Sequence, residues 1–210
     1  LDDIFKVFGG VVVGFILSPL SEVIKHKVTS RQNKNKLLLK VKTQQNLLKS
    51  AIPMLDQTIK KRQEFINNPF NFSGYFSTPN LNFPSIEPNL ENSYDSLSEF
   101  QRERLQILLS QFGHAQVLHT KIVGTTEALK ELFKDRKVSS IIEVRELEAD
   151  SCKSALKSEI ALLTIALHCY NNTVMILENK DQSKNEEQLL SQAISKFKIT
   201  CDKLVHRQTA

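Results

Sequence analysis

Residues 154–178 read SALKSEIALLTIALHCYNNTVMILE, and this stretch decides the fold class. Leu156, Ile160, Leu163, Leu167, Tyr170, Val174 and Leu177 alternate spacings of four and three without a fault. On a helix of about 3.6 residues per turn that rhythm keeps one apolar stripe facing a single neighbour. Upstream, Ser139–Asp150 (SSIIEVRELEAD) is helix-friendly and extends the prediction to roughly forty residues, ~60 Å of helix.

Working outward, the same rhythm returns three more times. Leu190, Ile194, Phe197, Cys201 and Leu204 keep it after a polar break at Glu178–Glu187. Leu105, Leu108, Phe112, Ala115, His119, Ile122, Thr126, Leu129 and Phe133 carry it earlier, weakened by Gly113 and Gly124, each costing about 1 kcal/mol relative to Ala. Leu38, Val41, Leu48, Ile52, Leu55, Ile59 and Ile66 carry it first, with Gln45 and Arg62 breaking the register. Pro53 removes a backbone donor inside that run and predicts a kink or break near Ser50–Ile52. No period-two alternation follows residue 24, so the body is all-α. Helices this long favour an elongated antiparallel bundle or coiled coil.

The N-terminus is of another kind: LDDIFKVFGGVVVGFILSPLSEVIKHKV. From Val7 to Leu17 every residue is apolar or Gly, and a helix apolar all round needs a protein core or a lipid phase around it. Ile4–Ile24 is 21 residues, ~32 Å as a helix, enough to cross a bilayer core. Between Val23 and Leu55 stand Lys25, Lys27, Arg31, Lys34, Lys36, Lys40, Lys42 and Lys49 with no acid, while Asp2 and Asp3 flank the other end. The positive-inside rule then predicts a single-pass membrane anchor with the C-terminal body cytoplasmic. Lys25, Lys27, Arg31, Lys34 and Lys36 are the expected lipid head-group contacts, at about 1 kcal/mol each.

Three competing readings of this segment stand beside the anchor. VVVGFIL is β-branched and suits a buried strand. Ser18-Pro19 reads as a helix start, which would end the apolar element at Leu17. The segment is also short enough for a buried core helix. A secretory leader fits poorly, because the leading residues are acidic and no small-x-small cleavage site follows. Leu1 rather than Met opens the chain, which leaves room for a longer span upstream. Gly10 and Gly14, four apart, form a flat helix face through which an anchor self-associates, giving a homo-oligomer.

Charge places these features in order. Residues 1–55 carry nine Lys/Arg against three acids, and residues 56–210 carry nineteen against twenty. The net charge of +5 therefore comes wholly from the first quarter of the chain. With no aromatics interleaved among the lysines, that argues against nucleic acid as a partner.

Asn67–Asp95 holds four of the six prolines, seven asparagines and six of the fifteen aromatics. Pro and Asn forbid a long helix there, and aromatics are scarce in disordered linkers, so an ordered loop pinned by its aromatics is expected. Phe70, Phe72, Tyr75, Phe76 and Phe83 are candidate contacts to the bundle end or to a protein partner. The segments so defined are an anchor (1–24), a basic juxtamembrane stretch (25–42), a kinked helix (37–66), the Pro/Asn/Phe-rich loop (67–96) and a long-helix bundle (97–208).

No phosphate-binding Gly loop, GxSxG elbow, HExxH, CxxC or Glu-x-x-His pair is present. His114 and His119 are five apart, about 140° round a helix, and do not converge on a metal. Cys152, Cys169 and Cys201 read as small buried or partly buried residues. Asn71-Phe-Ser and Asn171-Asn-Thr are glycosylation sequons in form, relevant only in a secretory setting. The sequence thus predicts no catalytic residues, no cofactor and no metal. The expected function is that of a non-enzymatic, membrane-anchored helical protein that binds a protein partner through its bundle. Two other classes stay open: a membrane-perturbing or channel-forming effector, and a soluble subunit of a larger assembly.

Overall fold

The computed structural model describes residues 2–70, 78–79, 81, 85–135, 141–180, 185–201 and 204; the side chains of 2–20, 129–135, 141, 143 and 186 lie outside that description. The elements are α1 (Asp2–Asn67), α2 (Glu87–Ser93), a 3-10 turn (Tyr94–Ser96), α3 (Glu99–Asp135), α4 (Ile141–Glu178) and α5 (Glu186–Phe197). Among the described residues there is no strand. The β-branched run VVVGFIL is therefore helical, and Ser18-Pro19 starts nothing, because both lie inside α1.

α1 is 66 residues long, ~99 Å at 1.5 Å per residue. The expected break at Pro53 is absent: the chain stays helical through it to Asn67. Ala51, Ile52 and Leu55 on either side are buried, and that packing holds the turn although one donor is missing. The expected anchor, the basic stretch and the expected kinked helix are thus parts of one helix.

α4 is the hub, with α1, α3 and α5 each packed on it and α2 packed on α1. Pairings fix the directions. Arg62 meets Glu159, and Phe65 clusters with Ala149 and Cys152, so α1 and α4 run antiparallel. Gln101 Nε2 donates to the Ile176 carbonyl and Asn172 Nδ2 to Gln111 Oε1, so α3 and α4 run antiparallel too. Three neighbours explain why α4 is buried beyond its single stripe: Leu162, Ala166, Cys169, Thr173 and Ile176 are enclosed along with Leu163, Leu167 and Tyr170. Among the described residues α4 is also the helix long and apolar enough to cross a membrane, over Val144–Glu178. More than half of that window is buried inside the bundle, as expected of its core helix.

The fourth predicted run is cut short. α5 stops at Phe197, where Lys198 turns left-handed at φ 52°. The Lys198 N–H reaches the Ser195 carbonyl and the Ile199 N–H reaches that of Ile194, closing the last turn as a Schellman motif. Cys201 and Leu204 keep their burial outside the helix. Asp56 of α1 holds this tail by accepting from the Thr200 hydroxyl at 2.9 Å and from its N–H.

The Pro/Asn/Phe-rich stretch is not a loop throughout, since α2 and the 3-10 turn form within it. Phe72, Tyr75, Phe76 and Phe83 lie outside the described residues, and Phe70 is 56% exposed. What pins the described part is Pro79, Leu81, Ile86 and Leu90, all buried, together with the Thr78 hydroxyl, which donates to Glu159 at 2.7 Å.

Candidate membrane-facing surface

Among the residues of α1 whose side chains are described, the bundle engages those from Ser30 onward. Residues 21–29 are all exposed, Ser30 is the first buried one, and Leu37 opens the apolar core. The Ser30 hydroxyl bonds the Ser96 hydroxyl, and Asn33 Nδ2 donates to the Asn92 carbonyl. The end of the bundle built from α2, the 3-10 turn and the start of α3 therefore lies level with residues 30–34 of α1. Asn179, just past α4, joins it by accepting from the Ser98 hydroxyl at 2.7 Å.

The five expected head-group residues do not behave alike. Lys25, Lys27, Arg31 and Lys36 are exposed. Lys34 is half-buried, and its ammonium donates to the Ser96 carbonyl at 2.9 Å, so it ties α1 to the 3-10 turn. Lys40 does the same lower down, donating to the Ser85 carbonyl at 3.1 Å. At 100° per residue Lys25 and Lys36 share one face, while Lys27, Arg31 and Lys34 share another about 200° round. Charge thus surrounds the helix on two sides. Val23, Ile24 and Val28 are exposed among these charges. Gly10 and Gly14 lie in the upstream part of α1, of which the helical backbone is described.

The residues sequence reasoning missed form a buried polar cluster farther down. Arg62 Nε and Nη2 donate to the two carboxylate oxygens of Glu159, both at 2.7 Å, and Nη1 reaches Cys152 Sγ at 3.3 Å. Glu159 is fully buried and Arg62 is 5% exposed. Burial works against the guanidinium charge, but the hydrogen bonds and charge of Glu159 outweigh it and hold the pKa above its ordinary value. Burial chiefly raises the Cys152 thiol, with Arg62 opposing, so the sulfur stays protonated. The signal in the sequence was Arg62 itself, a charge in an apolar register. Glu159, one residue from the stripe at Ile160, gave none.

Comparison with protein-family models, curated proteins and solved structures returned no match.

Among the described residues no group of three or more His, Cys, Asp or Glu is placed to share a metal ion. His119 is half-buried and His114 exposed on α3, and all three cysteines are buried. The Arg62–Glu159 pair is buried and bonded to Cys152 and Thr78, an arrangement suited to fixing the register of two helices.

Proposed function

We propose that this chain is a membrane-anchored helical protein, held by the apolar part of α1, which positions a bundle at a surface for association with itself and a protein partner. What carries the reading is the continuity of α1. The apolar segment, the exposed basic collar and the packed part of the helix succeed one another without a break from Asp2 to Asn67.

The spacing along that rod suits a bilayer. Ile4–Ile24 matches the hydrocarbon core at ~32 Å. Lys25, Lys27 and Arg31 then span six helical steps, ~9 Å, close to the ~5–8 Å of one head-group layer. A helix lying on a membrane carries its charge on one face, whereas one passing upright through head groups meets anions all round. The two-sided collar fits the upright case. Its orientation follows the charge rule, with the bundle in the cytoplasm.

Confinement to a surface raises the local concentration of the bundle for a second copy, through Gly10 and Gly14, and for a partner. Phe70, exposed where α1 ends, begins the aromatic stretch that would meet that partner.

The test is membrane fractionation with an alkaline carbonate wash, comparing the full chain with one starting at Val23. The full chain is expected in the washed pellet and the shortened one in the supernatant. Release of the full chain by the wash would sink the anchor and favour an assembly subunit whose apolar segment is buried by neighbours.

A further inference from the structure

A cavity of about 170 Å³ lies between α4 and α5, lined among others by Tyr170, Asn171, Val174, Met175, Leu189 and Lys196. Its lining is mixed: Val174, Met175 and Leu189 are apolar, Asn171 and the exposed Gln192 are polar, and Lys196, also exposed, supplies a cation. Lys196 Nζ donates to the Tyr170 hydroxyl at 2.6 Å, which engages one of the three ammonium protons. Among the described residues no carboxylate lies within ion-pairing distance of Lys196. Since Tyr170 accepts that bond, its own hydroxyl proton is left to donate, and among the described residues no acceptor lies within hydrogen-bond distance of it. The ring of Phe197, edge-on to Tyr170 at 4.9 Å, holds the phenol in place. The Asn171 amide is held through its Nδ2, which donates to the Leu189 carbonyl.

A cation with protons to spare and a phenol proton thus meet at one end of a small cavity of mixed lining, a plan that suits one charged head on a compact body. Their target is an oxyanion, because both are donors and one is a full positive charge. The volume limits the rest: an engineered cavity of about 150 Å³ holds one benzene. We infer that the α4–α5 cavity binds a small monocarboxylate, its carboxylate on Lys196 and Tyr170 and its apolar body of benzene size against Val174, Met175 and Leu189. The consequence is structural. α5 and the tail after it reach α1 through Thr200 and Asp56, so an occupant bridging α4 and α5 would tighten the closure of the bundle.

The chain has two methionines, Met175 in the cavity and Met54 on the outer side of α1, which makes a built-in control. The full chain in detergent, labelled with 13C on its methionine methyls, is titrated with sodium benzoate. The Met175 signal should move saturably through the ring current while Met54 stays. Benzyl alcohol, the same body without the charge, should need at least ~10-fold higher concentration, as should benzoate with Lys196→Met. Lys196→Arg should retain binding, and an unchanged Met54 signal shows each variant folded. The inference is overturned if Met175 does not respond at millimolar benzoate, if both signals move together, or if Lys196→Met titrates like the parent chain.

Discussion

Replacing Glu159 by Ala should be among the most damaging single changes in this protein, and the reason lies in what it leaves behind. The carboxylate takes three hydrogen bonds at 2.7 Å, two from Arg62 and one from Thr78, in a site with no solvent access. The truncation removes all three and takes from the buried guanidinium the carboxylate that holds two of its nitrogens. Arg62 cannot escape by losing its proton, since an arginine stays charged at any pH the fold survives. Breaking a buried pair from one side costs about 3–5 kcal/mol. For a chain of this size that corresponds to a fall in Tm of about 6–20 °C.

Removing both charges is a different perturbation. Arg62→Met with Glu159→Leu replaces a desolvated pair by apolar groups of similar volume, which is often neutral or stabilising. The double variant should therefore lie within about 2 kcal/mol of the parent, apart from the lost Thr78 bond. The assay is urea unfolding of the full chain in a mild detergent, followed by helical circular dichroism and arranged as a double-mutant cycle. A cost below about 1 kcal/mol for Glu159→Ala, or a double variant as poor as the sum of the singles, would refute the reasoning.

Three further outcomes are expected. Pro53→Ala restores a donor inside an unbroken helix and should raise stability by about 1–3 kcal/mol in the same unfolding assay. A Cβ built on Gly113 or Gly124 meets nothing within 4 Å, so Ala at each should add about 0.5–1 kcal/mol; a loss instead would mean that something packs against that face of α3. Burial holds the fully enclosed Cys169 thiol protonated well above its ordinary value of 9.0. Above pH 9 the unfolded chain then binds fewer protons than the folded one, so stability is present below pH 9 and falls as pH rises, by about 1.4 kcal/mol per unit for this thiol. Unfolding measured from pH 8 to 10.5 should show a shallower fall in Cys169→Ala; an identical slope would contradict the burial argument.

The helical class was legible because it is a local property. An uninterrupted 3-4 rhythm from Leu156 to Leu177, like those around Leu108 and Leu55, leaves no other regular conformation that gathers its apolar groups on one side. The charge asymmetry was legible for the same reason, since counting needs no coordinates. Pro53 was misread because its penalty is local but its remedy is not. Ala51, Ile52 and Leu55 are buried against other parts of the chain, and that burial keeps the turn helical.

The lysines divide along the same line. Lys25 and Lys34 are alike in sequence, yet only the fold brings the Ser96 carbonyl to Lys34 and leaves Lys25 in the open. Glu159 is the extreme case, a carboxylate whose partners stand 97 and 81 residues away. Periodicity reports which side of a helix is apolar. It does not report how many neighbours that helix has, and α4, with three, buries polar and apolar residues alike. The sequence by itself determined the helical class and the distribution of charge along the chain, because those follow from adjacent residues. The tertiary structure decided which charges are paired, which prolines are tolerated and where the α4–α5 cavity lies, because each depends on groups brought together across the chain.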